Sequence, residues 1–149
     1  MSLSFALEVI LSRILVVEDD VVIRRLTADL LREEGHEVHE ANGGEVGLEA
    51  IDAAVAGNDP FALVVLDMRM PGMDGRQFAA ALAERNVSIP ILLMTASHDV
   101  ESAAVEIQAD AYVAKPFDID ELIAQVDDLT SPDFVRVSAP QPETRTGRG

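Results

Sequence analysis

The chain has 149 residues, 48% of them hydrophobic and 26% charged, which is enough apolar material for one compact core and too little length for two ordinary domains. Its 27 acidic and 11 basic residues give a net charge of −16, so phosphate backbones and anionic lipid surfaces repel it, and neither nucleic acid nor membrane is expected as a direct partner. The absence of cysteine excludes disulfides, thiolate metal sites and a thiol nucleophile, and the longest apolar runs are of strand length, far short of a membrane span.

Residues 1–12, MSLSFALEVILS, lack a basic start, contain Glu8 and show no small-residue cleavage pattern; they read as an N-terminal extension or leader and not as a secretion signal. RILVV (13–17) is apolar enough for a central strand, and Val22, Ile23, Leu26 and Leu30 then fall on one helical face that stops at Gly35. EVHEA (37–41) alternates as a strand near a sheet edge does. Asn42-Gly43-Gly44 turns into a helix with the stripe Leu48, Ile51 and Val55, closed by Gly57-Asn58-Asp59-Pro60. FALVVLD (61–67) predicts a third strand, followed by a methionine-rich loop and a helix from about Gln77 to Arg85 with Phe78 and Leu82 inward. IPILLMT (89–95) predicts a fourth strand, Val100 to Ile107 a short helix, AYVAK (111–115) a fifth strand, and Leu122, Ile123, Val126 and Leu129 the stripe of a last helix. From Ser131 onward periodicity is lost and Pro, Thr and Gly accumulate, as in a tail or the start of a linker. The expected organisation is one domain over 13–130 with extensions on both sides.

Near-continuous apolar strands joined by helical crossovers, with no hairpin signal, predict an α/β fold: a doubly wound, five-stranded parallel sheet with helices on both faces. In such a sheet all carboxyl ends lie on one edge, and ligands bind there at the point where the strand order reverses. Glu18 and Asp19 follow strand 1, Asp67 ends strand 3, Thr95 ends strand 4 and Lys115 ends strand 5. Each has an ordinary reading taken singly: an Asx turn for Asp67, a strand-end β-former for Thr95, a solvated lysine for Lys115. Asp20 is best read as the N-cap of the helix near Val21. Unrelated causes would not place the others together at one edge.

Two carboxylates about 4 Å apart repel by roughly 4 kcal/mol at an effective dielectric of 20, so three need a proton or a cation between them. An all-oxygen donor set without Cys or nearby His favours a hard divalent ion, and a partly hydrated shell suits Mg²⁺ better than Ca²⁺. Mg²⁺ beside a carboxylate, a hydroxyl and an ammonium is equipment for handling a phosphoryl group.

The motifs ILVVEDD, VVLDMRMPGMDG, LLMTAS and YVAKPF, in that order, resemble the receiver domain of bacterial two-component response regulators from Arg13 to about Leu129. The resemblance implies a flavodoxin-like strand order of 2-1-3-4-5 and a cytoplasmic, phosphorylation-controlled signalling module, not a turnover enzyme beyond its own phosphoryl uptake and slow autodephosphorylation. Asp67 is the implied phosphoacceptor. The resemblance further implies that Asp19 binds Mg²⁺ (or Mn²⁺) directly, that Glu18 holds it through water, and that Asp67 with the backbone carbonyl of Arg69 completes the protein ligands. It also implies that Thr95 and Lys115 contact the phosphoryl oxygens, aided by the backbone amides of Met68 and Ala96, and that Thr95 with Tyr112 forms the switch. Pro116 implies a cis Lys115–Pro116 bond. The implied partners are a sensor histidine kinase or phosphotransfer protein, a downstream protein or fused output domain, and a second copy in a phosphorylation-dependent homodimer. The chain departs from the family pattern in a slightly short segment between Thr95 and Lys115, which reads IQADAY where the family usually has a Gly after its fourth helix.

Two other functions fit the residues less well. A haloacid-dehalogenase-like phosphatase also forms an aspartyl phosphate, but carries its nucleophile as D-x-D on the first strand, where this chain has EDD. A receiver-like scaffold that is never phosphorylated would not need the full set of acids, Thr95 and Lys115. At the mouth of the site Arg69 is expected to control water access, with Ser97 opposite and too short to block it.

Overall fold

The computed structural model describes residues 12–96 and 100–132; the expectations for residues 1–11, for Ser97 and for 133–149 lie outside them. Five strands alternate with five helices: β1 (Arg13–Val17), α1 (Val21–Glu33), β2 (Glu37–Ala41), α2 (Gly44–Ala56), β3 (Leu63–Asp67), α3 (Gly75–Glu84), β4 (Ile91–Thr95), α4 (Val100–Ile107), β5 (Ala111–Ala114) and α5 (Ile119–Thr130). The sheet is parallel with the order β2-β1-β3-β4-β5, the doubly wound arrangement that the sequence predicts.

The strands β3 and β4 are buried at every position because helices cover both of their faces. One core layer joins Leu15, Val17, Leu66 and Leu93 to Ile51 of α2, Phe78 of α3 and Ile107 of α4. The other joins Ile14, Val16, Leu92 and Met94 to Leu31 of α1 and to Leu122 and Val126 of α5. Neighbouring residues on each strand thus serve opposite layers, as a pleated sheet with two covered faces requires.

Three stripes differ from the expectation. On α1, Val22 and Leu26 are exposed while Thr27, Ala28 and Leu31 are buried; the small side chains at 27 and 28 let the helix lie close to the sheet, and the larger ones point away. On α2, Val55 is half exposed and Ala54 takes the inward place. Ile123 is only half-buried on α5, next to the buried Leu122. The ladder of β3 begins at Leu63 and that of β4 at Ile91, two residues later than the apolar runs, because buried Phe61 and Ile89 plug the bottom of the core without entering the sheet.

Four helices end alike. After α1, α2, α3 and α4, backbone hydrogen bonds reach back from Gly35 and His36, Asn58 and Asp59, Asn86 and Val87, and Gln108 and Ala109 to the last turn, a Schellman closure with a left-handed residue at its centre. That residue is Gly35 (φ 100°), Asn58 (58°), Asn86 (56°) and Gln108 (58°). Gln108 occupies the place where the family-like glycine was missed, and a side chain other than Gly or Asn there costs on the order of 1 kcal/mol.

Candidate functional site

The chain runs β1 to β2 on one side and then returns to place β3 on the other side of β1, so the sheet's reversal lies between β1 and β3. Glu18 and Asp19 leave β1 at this point, and Asp67 is the last residue of β3. One carboxylate oxygen from each of Glu18, Asp19 and Asp67 lies within 4.8 Å of the other two. Glu18 is 2% and Asp67 5% exposed, while Asp19 stands at the open mouth. Thr95 ends the neighbouring β4, buried, and pairs in register with Ala114, the residue before Lys115.

Lys115 enters from the far side. Its amide donates to the Thr95 carbonyl at 2.9 Å, the Lys115–Pro116 peptide is cis, and its ammonium donates to Glu18 Oε1 at 2.6 Å and lies 3.4 Å from Asp67 Oδ1. The other Glu18 oxygen accepts from the Asp20 amide at 3.1 Å. Asp20 itself caps α1, its Oδ1 accepting from the amides of Val22 and Ile23 at 2.9 and 3.0 Å, as the sequence predicts.

Electrostatics follow from burial and crowding. The Asp67 carboxyl is pushed from its ordinary 3.8 up to about 6, first by burial and then by the charge of Glu18, against the opposing pull of Lys115 and of the Arg69 amide, which donates to Asp67 Oδ1 at 3.4 Å. For Lys115, burial acts to lower the pKa, but the hydrogen bond to Glu18 and the charge of Asp67 outweigh it and hold the ammonium above its usual value. Three carboxylates against one ammonium leave the cluster short of positive charge. An all-oxygen donor set of this kind fits a hard divalent cation.

The loop after Asp67 is held at both ends. Gly72 takes a positive φ of 78°, which the Pro71-Gly72 pair suits. The Gly75 amide donates to the Met68 carbonyl at 2.8 Å, and a Cβ at Gly75 would stand 2.9 Å from Met68 Cα and 3.0 Å from the Asp67 carbonyl oxygen. Only glycine permits that approach. Asp74 then caps α3 and exchanges hydrogen bonds with Gln77 in a capping box, which starts the helix two residues earlier than expected. The Arg69 side chain is exposed and, with Met68, Met70, Pro71 and Arg76, lines a cavity of about 670 Å³ that extends to Ser102 and Glu106 of α4 and does not include Glu18, Asp19 or Asp67. Met68 is buried and Ala96 exposed. Tyr112 is 38% exposed on β5.

One contributor escaped the sequence reading. Arg24 of α1 donates through Nη1 to the Glu18 carbonyl at 3.0 Å and through Nε to Glu40 of β2 at 3.3 Å, and Arg25 and Arg32 converge on the same Glu40 at 3.1 and 3.2 Å. With the Glu18 amide bonded to the Ala41 carbonyl at 3.0 Å, the acidic turn is tied twice to the neighbouring strand. The signal was an arginine one helical turn past the N-cap of α1.

A parallel sheet ordered β2-β1-β3-β4-β5, with acids at the reversal and a lysine opposite, defines a flavodoxin-like signalling domain of the receiver type. The sequence model of the response regulator receiver domain matches residues 14–127, and the chain belongs to that family. Among its relatives are the transcriptional regulatory protein TcrA of Mycobacterium tuberculosis, 39% identical over 134 residues that make up 89% of this chain and 49% of TcrA, and the alkaline phosphatase synthesis transcriptional regulatory protein SphR of Synechococcus elongatus, 41% identical over 76% of this chain and 47% of SphR. The chain therefore spans about half the length of these curated relatives. The structure resembles that of the response regulator TrrA of Thermotoga maritima in complex with Mg²⁺-BeF, with a TM-score of 0.68, 36% identity, and coverage of 80% of this chain and 99% of TrrA.

Proposed function

We propose that this receiver accepts a phosphoryl group on Asp67 from a phosphohistidine of a sensor histidine kinase or phosphotransfer protein, and that the acyl phosphate changes how the domain engages a downstream partner or fused output domain in the cytoplasm. The observation that carries the reading is the Asp67 carboxylate itself, buried at the end of β3 between Glu18, Asp19 and Lys115. A structural aspartate has no need of such neighbours.

In the transfer, an Asp67 carboxylate oxygen attacks phosphorus, the bond to the donor imidazole nitrogen breaks, and the imidazole leaves with that electron pair. The attack needs the ionised carboxylate, and the Lys115 ammonium favours that form. Asp19, Asp67 and the Arg69 carbonyl would hold Mg²⁺ directly, with Mn²⁺ as an alternative, and Glu18 would contact it through water. When bound, the ion neutralises charge on the phosphoryl oxygens. The Mg²⁺-BeF carried by TrrA supports that choice. Lys115 is released from Glu18 to pair with the phosphoryl group, the Thr95 hydroxyl and the amides of Met68 and Ala96 donate to its oxygens, and the aromatic ring of Tyr112 turns into space that Thr95 vacates. Val21 and Val22 at the start of α1 and Ile119 at the start of α5 are exposed apolar residues on helices covering the same sheet face; they offer the phosphodonor a foothold beside the pocket. No described helix is long and apolar enough to cross a membrane.

The test is incubation with acetyl phosphate and Mg²⁺ followed by intact mass measurement. Wild type should gain one labile phosphoryl group and Asp67→Asn none. Equal uptake by the two proteins would refute the assignment.

A further inference from the structure

Of the Lys and Arg side chains among the described residues, Arg69 alone has no acidic partner. Arg13 pairs with Glu37, Arg24, Arg25 and Arg32 with Glu40, Arg76 with Glu106, Arg85 with Asp52, and Lys115 with Glu18. A guanidinium left free is unexpected in a chain of net charge −16, where carboxylates are abundant. Its backbone is nevertheless held in place. The Arg69 amide donates to Asp67 Oδ1 at 3.4 Å, while the side chain lines the separate cavity between the loop after β3 and α4.

At about 670 Å³ that cavity has the dimensions of a small-molecule site. Buried Met68 and Met70, with Pro71 and Ala103, supply an apolar lining, and Ser102 of α4 adds a hydroxyl. Methionine side chains adapt to the shape of what they meet. The other charges of the lining are already matched. Arg76 Nη2 donates to Glu106 Oε1 at 3.0 Å, and Asp74 caps α3, accepting from the Gln77 amide at 2.9 Å, with Arg76 3.9 Å away. The charge of Arg69 is thus the one in this lining without a counter-charge among the described residues.

We propose that this cavity binds a small organic anion, whose carboxylate or sulfonate head takes the guanidinium of Arg69 and whose apolar body lies against Met70, Pro71 and Ala103. The planar guanidinium suits such a head, because it offers two parallel N–H donors to paired oxygens. The ligand is not the phosphodonor, since Glu18, Asp19 and Asp67 do not line the cavity. It touches α4 and the loop that leaves Asp67 at once, and Arg69 serves both places, side chain to the cavity and amide to Asp67. Occupancy and the state of Asp67 are therefore coupled, and such coupling is reciprocal. The coupling rests on the phosphoryl chemistry proposed above; the binding does not.

The test titrates the full chain with 8-anilinonaphthalene-1-sulfonate, read by fluorescence, and with neutral N-phenyl-1-naphthylamine, which lacks the anionic head. The sulfonate should saturate one site on the folded protein and the neutral probe should bind at least fivefold more weakly. Arg69→Gln should lower sulfonate affinity at least tenfold, and Ser102→Glu, at an exposed position, severalfold. Arg85→Gln, the same charge change elsewhere, should leave it unaltered. Amide NMR shifts should centre on Met70 and Ala103. Absence of saturable binding, equal affinity in Arg69→Gln, equal loss in Arg85→Gln, or equal binding of the neutral probe overturns the site. With Mg²⁺ and beryllium fluoride the affinity should change at least threefold; no change in a protein that takes up phosphoryl from acetyl phosphate overturns the coupling. Absence of that uptake refutes the signalling reading, while the titrations still judge the site.

Discussion

Replacing Asp67 by Asn should make the metal-free protein more stable at neutral pH, although it removes the residue on which the proposed function depends. Burial and Glu18 raise the Asp67 carboxyl from 3.8 to about 6, so the folded state binds the proton more tightly than the unfolded chain does. The resulting stability is fully present below pH 3.8 and is lost as pH rises through about 6. At 1.36 kcal/mol for each tenfold in proton affinity, ionised Asp67 costs the fold on the order of 3 kcal/mol. Solvent reaching the pocket mouth beside exposed Asp19 screens this to about 1–2 kcal/mol. The amide is nearly isosteric, carries no charge, and leaves Lys115 its 2.6 Å bond to Glu18. Urea unfolding at pH 7.5 in the presence of a chelator should therefore favour Asp67→Asn by about 1–2 kcal/mol, or roughly 3–8 °C in a thermal melt. At pH 4.5 the gap should shrink to about a third, because wild type then holds much of its proton. Saturating Mg²⁺ should close the gap at neutral pH by stabilising wild type more than the variant. A variant no more stable than wild type at pH 7.5, or a gap independent of pH, would show that Asp67 is not under the strain described.

Three further outcomes are expected. Mg²⁺ at 100 times its dissociation constant should stabilise wild type by about 2.7 kcal/mol, with Asp19→Ala losing most of that gain and Glu18→Ala less; coincident melts of wild type with and without Mg²⁺ would remove the metal site. Arg69→Ala should change the half-life of the phosphorylated protein severalfold, about 1 kcal/mol in the barrier, with little change in Mg²⁺ affinity because the carbonyl remains, and an unaltered half-life would make the side chain a surface group only. Gln108→Gly, at φ 58°, should stabilise the fold by about 0.5–1 kcal/mol in chemical denaturation, whereas a loss would mean that the Gln108 side chain makes contacts worth more than its strain.

The strands and the pocket edge were legible because two signals agree there: apolar runs of strand length, and polar residues at their carboxyl ends. β1, β2 and α4 occupy the predicted spans. Helix faces were harder. Val22 and Leu26 fit the helical period as well as Thr27, Ala28 and Leu31 do, and only the closeness of the sheet favours the smaller set. The start of α3 was placed at Gln77 instead of Gly75 because Asp74 was not read as its N-cap. At the site, the acids, Thr95 and Lys115 converge as their strand positions require, but the Lys115 to Glu18 contact and the brace from Arg24 are long-range pairings. No local pattern in one sequence specifies which arginine will meet which carboxylate across a sheet.

The knot of three arginines on Glu40 gives the edge strand an unusual responsibility. Among the described residues β2 has one neighbour, β1, and strands with a single neighbour are the first part of a sheet to open in brief local excursions. Each such excursion would loosen Glu40, and with it the hold of Arg24 on the carbonyl of Glu18, so the acids would lose their mutual alignment while the core stayed closed. If the pocket takes a cation, its capture and the breathing of this edge share one equilibrium. Occupancy of the pocket should slow amide exchange along Val38 to Ala41, two strands away from Asp67, and a destabilised β2 should read out as weakened metal affinity even when every ligand is intact.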